Sequence, residues 1–296
     1  MKLGFIGLGT MGMPILEHLL TAGHEVAVYD VSVAAMQRAA QAGATLAEEV
    51  GDAARGAEVV FASVTNQTVL EEILCGPGGI LQVMAPGSVI VDLGTTAAPK
   101  CREFAAAAGD KQIGFLDAPL SGSGPWAKSG ELAVMVGGDK AAFDRCRPLL
   151  ELFGAVDKIF YLGESGSGQT AKLCHQLAFM GTLVGLAEAM ALGERAGITK
   201  SRVLEVIGAC VSPRHVIDFL QPVVDSEAYR NTDGGLAIFH KDLKAVLAMA
   251  DDLNFSAPLA KILFGYYEQA LQAGRGDLNA FGAIQLAEEE FFTNTQ

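Results

Sequence analysis

The sequence has no cluster of lysine or arginine, and its 21 basic residues are outnumbered by 34 acidic ones, which gives a formal net charge of -13. A chain this acidic is repelled by nucleic-acid phosphates and by anionic lipid surfaces. We therefore expect neither a nucleic-acid partner nor a membrane partner.

The sequence also lacks the cysteine spacing of a zinc site or of a disulfide framework, because its five cysteines are scattered and form no C-x-x-C pair. Its histidines show no metal-ligand spacing, so no metal is predicted. The chain runs from Met1 directly into a strand pattern, without the segments of a secretory signal. Its most apolar stretch, residues 177–192, contains Glu188 and is too short for a membrane span. These features predict a soluble protein of the reducing cytoplasm.

Half of the residues are apolar, which is enough to fill the cores of two medium-sized domains. In the first half of the chain, short runs rich in Val, Ile and Phe alternate with helical patterns, which is typical of βαβ units and a mostly parallel sheet. The predicted strands are 3–6, 25–29, 59–63, 88–92, 114–118, 133–136 and 158–161. The predicted helices in this half are 11–22, 33–41, 68–74, 100–108 and a helix around 141–153.

After residue 163 the pattern is helical throughout. The predicted helices there are 169–196, 200–210, 241–253, 258–273 and 279–292. The sequence therefore predicts an α/β domain at 1–163 and an all-helical domain at 164–296. Small ligands often bind in the cleft between two such domains.

A glycine-rich motif follows the first predicted strand and opens the first predicted helix. Its six residues are Gly7, Leu8, Gly9, Thr10, Met11 and Gly12, which match G-x-G-x-x-G. In this motif the first glycine permits a tight turn, the second lets the backbone approach a pyrophosphate, and the third lets helix and strand pack closely. We therefore predict that the first domain is of the Rossmann type and binds a dinucleotide.

Asp30 stands at the end of the second predicted strand, eighteen residues after Gly12. A carboxylate there accepts hydrogen bonds from the adenosine ribose and repels a 2′-phosphate, and no arginine follows it directly. This favours NAD over NADP. Four further residues at the ends of later strands are predicted to contact the nicotinamide side of the dinucleotide, namely Val64, Thr65, Asn66 and Thr95.

Three further segments, together with the glycine loop, resemble the 3-hydroxyacid dehydrogenase family, which includes 3-hydroxyisobutyrate dehydrogenase and tartronate semialdehyde reductase. The segments occur in family order and, with the loop, span nearly the whole chain. They are Asp117-Ala118-Pro119-Leu120-Ser121-Gly122, then Gly166-x-Gly168-x-x-x-Lys172, and, more weakly, Lys241-Asp242-Leu243. The resemblance implies hydride transfer between a nicotinamide cofactor and a small hydroxy carboxylate.

The resemblance also implies roles for single residues. Lys172 would be the general acid and base, and burial near a helix N-terminus would lower its pKa. Ser121 and Gly122 would hold the substrate carboxylate, and Lys241 would reach the cofactor. A homodimer or homotetramer is expected.

The sequence departs from the family pattern around the substrate. His175 and Gln176 stand where many members have asparagine after the lysine, and this His-Gln pair resembles the threonate dehydrogenase branch. Ser123 stands where the family usually has glycine. Trp126 would form a wall of the substrate pocket or a lid on the helical domain. Arg214 would bind a second anionic group or lie in solvent. These departures leave the substrate open.

Two other functions fit the same fold. An imine reductase is one, although such enzymes commonly carry Asp or Tyr where this chain has Lys172. A non-catalytic dinucleotide-binding protein is the other, although such proteins tend to lose the lysine. We therefore expect an NAD-preferring 3-hydroxyacid dehydrogenase.

Overall fold

The computed structural model describes residues 1–64, 66–122, 124–210, 226, 236–237, 240, 243–244, 247, 250–251, 253–276, 278, 282 and 286. The chain divides into two compact units, Met1–Gln176 and Leu177–Gln296. Of the predicted elements, the helix at 279–292 lies almost wholly outside the described residues.

The first unit is built on a nine-stranded sheet in the order β3-β2-β1-β4-β5-β6-β8-β7, with β9 paired to β8. The first six of these strands are parallel, whereas β8 runs antiparallel to β6 and β7. The strands are β1 (Lys2–Ile6), β2 (Glu25–Tyr29), β3 (Thr45–Leu46), β4 (Val59–Ala62), β5 (Val89–Asp92), β6 (Gly114–Asp117), β7 (Leu120–Ser121), β8 (Leu132–Gly138) and β9 (Gly154–Tyr161).

Helices connect the strands of this sheet. They are α1 (Gly12–Thr21), α2 (Val33–Gln41), α3 (Val50–Ala54), α4 (Gln67–Cys75), α5 (Ala98–Gly109), α6 (Gly124–Ser129) and α7 (Lys140–Leu150). The helix α8 (Ser167–Arg195) follows β9. This arrangement is the dinucleotide-binding order 3-2-1-4-5-6, and it confirms the predicted Rossmann-type domain.

The central strands β4 and β5 are buried along their whole length, since helices cover both faces of the sheet. Alternate residues of the central strands lie in two separate hydrophobic cores, one on each face of the sheet. Phe5 of β1 and Phe61 of β4 lie in one core, and Ile6 of β1 and Val60 of β4 lie in the other. A continuous apolar run is what a strand buried on both faces requires, which explains why these two strands were readable from the sequence.

The described part of the second unit contains helices and no strand, as predicted. Besides the continuation of α8, it includes α9 (Lys200–Ala209) and α10 (Pro258–Gln272). The carboxylate of Glu188 accepts hydrogen bonds from the backbone N–H groups of Leu259 and Ala260, both at 3.0 Å. An acidic side chain is favourable there because the first N–H groups of a helix have no partner within it.

Four short elements were not predicted, namely β3, β7, α3 and α6. Each has two to six residues, which is too few to display a period of 2.0 or 3.6. Among the described residues, no helix is both long and apolar enough to cross a bilayer.

Replacing Phe61 with alanine tests how the sheet is held. Its ring stacks on Phe5 at 5.9 Å and meets the edge of Phe153 at 6.1 Å, and it is fully buried. We expect Phe61→Ala to lower the free energy of unfolding by about 3–5 kcal/mol because it leaves a cavity. Phe160→Ala, at a side chain that is 48% exposed on β9, is the matched control and should cost less than about 1 kcal/mol in the same urea titration. Equal losses would contradict this account of the core.

Candidate functional site

The glycine loop between β1 and α1 has the conformation that its motif predicts. Gly7 has φ +92°, and a side chain on it would overlap the carbonyl oxygen of Ser63. A side chain on Gly12 would overlap the carbonyl oxygen of Gly7. At Gly9, by contrast, no atom lies within 4 Å of the position of a Cβ. The loop is therefore tight on its protein side and open where a pyrophosphate would approach, so these residues fit a dinucleotide.

Asp30 follows β2 and faces this loop. One of its carboxylate oxygens accepts a hydrogen bond from Leu8 N at 2.6 Å, and the other accepts one from Ser32 N at 2.7 Å. The two amides hold the carboxylate at the rim of a cavity of about 560 Å³, which Gly7, Gly9 and Val64 also line. An oxygen held in this way can still accept bonds from ribose hydroxyls through its second lone pair.

The charge of this cavity is negative. Asp30 and Glu72 line it, and none of its described lining residues is a lysine or an arginine. Val31, the residue directly after Asp30, is 90% exposed and apolar. Such surroundings offer no counter-charge to a 2′-phosphate.

The residues after β4 and β5 lie at the carboxyl end of the sheet, where open α/β sheets bind ligands. Val64 lines the cavity, and Thr95 is exposed. Asn66 begins α4, and its side-chain oxygen accepts hydrogen bonds from Thr68 N and Val69 N at 3.0 and 3.1 Å. The side chain of Asn66 thus stabilises the helix N-terminus. Thr65 lies outside the described residues.

The loop after β7 carries the predicted carboxylate-binding residues. Gly122 has φ +138°, and a Cβ there would come within 2.6 Å of Leu132 Cδ2 and 3.3 Å of Trp126 Cβ. Ser121 ends β7 and is half-buried. The loop lies beside the glycine loop, because the Cβ position of Gly124 is 3.3 Å from the methyl group of Thr10. The two predicted ligand loops are therefore neighbours.

Trp126, on α6, packs against Gly122 and is 51% exposed. The ammonium of Lys158, on β9, lies 5.7 Å from the centre of its ring, which is within the range of a cation–π interaction. The helix α6 is held against α1 by a hydrogen bond of 3.0 Å between His18 Nε2 and the carbonyl oxygen of Ala127. The tryptophan thus lies next to Gly122, and whether it forms a wall of the substrate pocket or a lid stays a prediction.

Asp117, at the end of β6, joins the sheet to the start of α8. Its carboxylate is fully buried and accepts hydrogen bonds from Gly166 N at 2.8 Å and from Gln169 N at 2.9 Å. Burial raises the pKa of this carboxyl above its ordinary value, and the backbone N–H donors offset only part of that shift. The side chain of a strand residue therefore caps a helix that begins about 50 residues later, and no short-range sequence signal could have disclosed this.

Glycine is required at the point where the sheet meets α8. A Cβ on Gly168 would overlap the carbonyl oxygen of Met135, and a Cβ on Gly137 would come within 2.8 Å of Asp117 Oδ1 and Gly168 N. This close approach explains why glycine stands at position 168 of the Gly166-x-Gly168 motif and at position 137 of β8.

A second buried carboxylate, Asp92, lies opposite Asp117 on the adjacent strand. It accepts hydrogen bonds from Gly94 N at 2.9 Å and Thr96 Oγ1 at 3.0 Å. Burial raises its pKa to about 6. Gln169, which is also fully buried, bonds Thr96 N and the carbonyl oxygen of Gly94 through its side chain. We call Asp92, Thr96, Asp117 and Gln169 the buried polar network.

Lys172 follows Gln169 by one helical turn. It is only 8% exposed, and burial lowers the pKa of its ammonium. No carboxylate of the described residues forms an ion pair with it. His175 and Gln176 lie three and four residues further along α8 and therefore share the face of Lys172. A lysine in this setting can be neutral at a pH where exposed lysines are charged.

Asp92, Thr96 and Gln169 were not predicted from the sequence as residues of the site. Polar residues at the buried carboxyl ends of β5 and β6 were the available signal, because a polar side chain is buried only with partners. Ser123, Arg214 and Lys241 lie outside the described residues. The described residues contain no group of His, Cys, Asp and Glu side chains arranged to bind a metal ion.

Two family models match consecutive parts of the chain. The NAD binding domain of 6-phosphogluconate dehydrogenase matches residues 2–163. A model described as the NAD-binding of NADP-dependent 3-hydroxyisobutyrate dehydrogenase matches residues 166–287. Together these models indicate a nicotinamide dinucleotide as the cofactor, without distinguishing NAD from NADP.

Relatives match along nearly their whole length. The 3-hydroxyisobutyrate dehydrogenase of Pseudomonas aeruginosa is 34% identical, over 90% of this chain and 92% of the relative. The NAD-dependent L-serine dehydrogenase of the same organism is 32% identical, over 96% of both chains. An imine reductase from Myxococcus stipitatus in complex with NADP⁺ superposes with a TM-score of 0.86 at 21% identity, over 95% of this chain and 97% of that one. At that identity the likeness concerns the fold alone.

The pH dependence of stability tests the burial of Asp92. Because its pKa in the folded state, about 6, lies above its ordinary value of 3.8, the folded protein binds the proton more tightly than the unfolded chain. The carboxyl therefore costs stability as the pH rises through the window from 4 to 6. In Asp92→Asn this cost is absent, so the free energy of unfolding of the variant should gain on that of the wild type by about 2–3 kcal/mol between pH 4 and pH 7.

The control for this experiment is Asp157→Asn, at an exposed position on β9. Its difference from the wild type should stay constant over the same pH range. A constant difference for Asp92→Asn as well would contradict the assignment of a buried, protonatable carboxyl.

Proposed function

Because the chain belongs to the 3-hydroxyacid dehydrogenase family of nicotinamide-dependent oxidoreductases, we propose that it interconverts a small 3-hydroxy carboxylate and the corresponding aldehyde or ketone, with NAD preferred over NADP. The observation that carries this proposal is Lys172, a buried lysine with a lowered pKa that follows the buried polar network by one turn. A lysine of this kind is suited to exchange a proton with a hydroxyl group near neutral pH.

In the proposed reaction, the dinucleotide supplies the hydride chemistry. Lys172 handles the proton: its neutral amine accepts the hydroxyl proton when the alcohol is oxidised, and its ammonium returns a proton to the carbonyl oxygen when the product is reduced. A buried ammonium also stabilises negative charge on that oxygen, because the interaction is only weakly screened by water.

The substrate is proposed to bind through its carboxylate to Ser121, Gly122 and Ser123, with Gln176 and His175 bonding its hydroxyl side. Trp126 is proposed to limit the length of the substrate, since it packs beside Gly122. Arg214 is proposed to bind a second anionic group.

The dinucleotide is proposed to bind to the loop from Gly7 to Gly12, including Leu8, Thr10 and Met11, with its adenosine ribose on Asp30. The negative lining of the cavity supports NAD, because Asp30 and Glu72 would repel a 2′-phosphate. Five further residues complete the proposed cofactor site, namely Val64, Thr65, Asn66, Thr95 and Lys241.

The remaining proposals concern organisation. We assign dinucleotide binding to residues 1–163 and substrate binding and self-association to residues 164–296. We also propose a homodimer or homotetramer that works in the cytoplasm.

Initial rates at 340 nm test the reaction and the role of Lys172. The panel pairs both dinucleotides with 3-hydroxyisobutyrate, serine, glycerate, threonate, 4-hydroxybutyrate, 3-sulfolactaldehyde and a cyclic imine. We expect turnover of a hydroxy carboxylate, and a loss of about 100- to 10,000-fold in kcat in Lys172→Ala, the range of a general acid–base group. Lys200→Ala, at an exposed lysine of α9, is the matched control and should keep the wild-type rate.

The pH profile should identify the same group. Oxidation needs the neutral amine, so its rate should rise with pH and level off above the pKa of Lys172. Reduction needs the ammonium and should fall through the same pKa. Both midpoints should lie below the ordinary lysine value of 10.5 because the ammonium is buried. Turnover of the imine alone, or a Lys172→Ala variant with full activity, would overturn the proposal.

Cofactor choice is tested with Asp30→Asn. Asparagine keeps an oxygen for one of the amides that Asp30 binds, but it removes the charge. We expect the ratio of kcat/KM for NAD to that for NADP to fall about 10-fold, which corresponds to roughly 1.4 kcal/mol. Glu72→Gln removes a charge from the same cavity and is the control, with a smaller expected change. An unchanged ratio in Asp30→Asn would mean that this carboxylate does not select the dinucleotide.

A further inference from the structure

Gln169 connects three parts of the first unit that are distant in sequence. Its backbone N–H donates to Asp117 Oδ2 at 2.9 Å, which fixes it to the end of β6. Its side-chain oxygen accepts a hydrogen bond from Thr96 N at 3.0 Å, and its side-chain nitrogen donates to the carbonyl oxygen of Gly94 at 2.9 Å. The residue is fully buried. One side chain thus bonds both sides of Thr95, in the loop between β5 and α5.

We propose that Gln169 is a positioning residue that fixes Lys172 relative to the loop of residues 94–96. This inference rests on the proposed role of Lys172 as the acid and base. The two residues are three positions apart on α8, which corresponds to a rise of about 4.5 Å and places them on neighbouring turns of one face. Any shift of Gln169 therefore moves Lys172 relative to the loop.

The position requires a side chain that both donates and accepts hydrogen bonds. It must accept one from Thr96 N and donate one to the Gly94 carbonyl at the same time, as the amide of glutamine does. A leucine would leave a buried N–H and a buried C=O without partners. A glutamate would keep the acceptor but would present a second lone pair to the Gly94 oxygen. An apolar side chain of similar size would therefore not reproduce the two hydrogen bonds of Gln169.

Gln67 provides a matched comparison within the same fold. Its side-chain oxygen accepts a hydrogen bond from Ala97 N at 3.3 Å, one residue beyond Thr96. It stands at the first position of α4, and its side chain is exposed. Gln67 therefore holds the same loop through the same chemistry, but it is not part of the helix that carries Lys172.

Four ionisable groups lie around this arrangement besides Lys172. Asp92 and Asp117 are buried members of the network, Cys101 is buried on α5, and Arg102 Nη1 lies 3.0 Å from the Cβ position of Gly166. Gln169→Leu and Gln67→Leu alter none of them and add no charge, so a change in the titration of Lys172 in these two variants reports its position. Gln169→Glu adds a carboxyl of its own near Lys172 and is therefore judged by kcat.

The experiment compares Gln169→Leu, Gln169→Glu and Gln67→Leu with the wild type in two measurements. The first is competitive acetylation with trace acetic anhydride, which reacts with neutral amines. The acetylated peptides of Lys172 and of exposed Lys200 are quantified by mass spectrometry as a function of pH. This measurement needs no substrate, so it remains decisive even if the proposed reaction is wrong. The second is steady-state kinetics on whichever substrate the panel identifies.

In the wild type, Lys172 should titrate below the ordinary lysine value of 10.5 because its ammonium is buried. In Gln169→Leu its midpoint should move toward that value. In both Gln169 variants kcat should fall about 10- to 100-fold with an unchanged KM for the dinucleotide, the cost of a misplaced catalytic group. Gln169→Glu should recover part of its activity at low pH, where a protonated carboxyl can again donate to Gly94. Gln67→Leu should leave the midpoint and kcat unchanged.

Gln169 variants that fold, bind the dinucleotide and keep both the wild-type midpoint and kcat would overturn the inference. A Gln67→Leu variant that moves the midpoint as far would overturn it as well. If Gln169→Leu does not fold, the kcat of Gln169→Glu and its recovery at low pH decide the question, because glutamate retains the size of the side chain and one of its two bonds.

Discussion

The carboxylate of Asp117 is the contact on which the proposed active site depends. Fully buried at the end of β6, it accepts backbone hydrogen bonds at the start of α8 and so fixes the origin of the helix that carries Lys172. A buried carboxylate is costly unless donors surround it. The same cost restricts where α8 can begin, because its first N–H groups must reach this carboxylate. The backbone N–H groups at the start of α8 and the carboxylate at the end of β6 therefore stabilise each other.

This constraint extends to the residues around it. The close approach of strand and helix leaves no room for a side chain at Gly137 or Gly168. Asp92, on the neighbouring strand, holds the loop after β5 through Gly94 and Thr96. Gln169 then joins that loop to α8. Two adjacent parallel strands thus place two buried acids at one edge of the sheet. Asp92 organises the loop that follows its strand, and Asp117 organises the start of α8.

Sequence reasoning recovered the parts of this molecule that depend on local patterns. Apolar runs identified β4 and β5, and the spacing of Gly7, Gly9 and Gly12 identified the dinucleotide loop. Short elements such as α6 carry no period and were missed. Gln169 was missed for a different reason, since its partners lie 52 to 75 residues away and only the folded chain brings them together. Asp92 bonds groups two and four residues away, but its burial is a property of the folded sheet. Lys172 was identified through family resemblance, because its burial is a property of the tertiary structure.

The net negative charge of the protein opposes the binding of anionic ligands. A chain with a net charge of -13 repels the dinucleotide and the proposed carboxylate substrate at long range. In the proposed site, attraction would come from groups that act at short range: the backbone N–H groups at the start of α1, the amides of the loop after β7, and the buried ammonium of Lys172. Such groups are weakly screened where water is excluded. In the proposed site, the acidic surface would slow the approach of an anion, whereas the buried donors would select the anion and hold its reacting carbon.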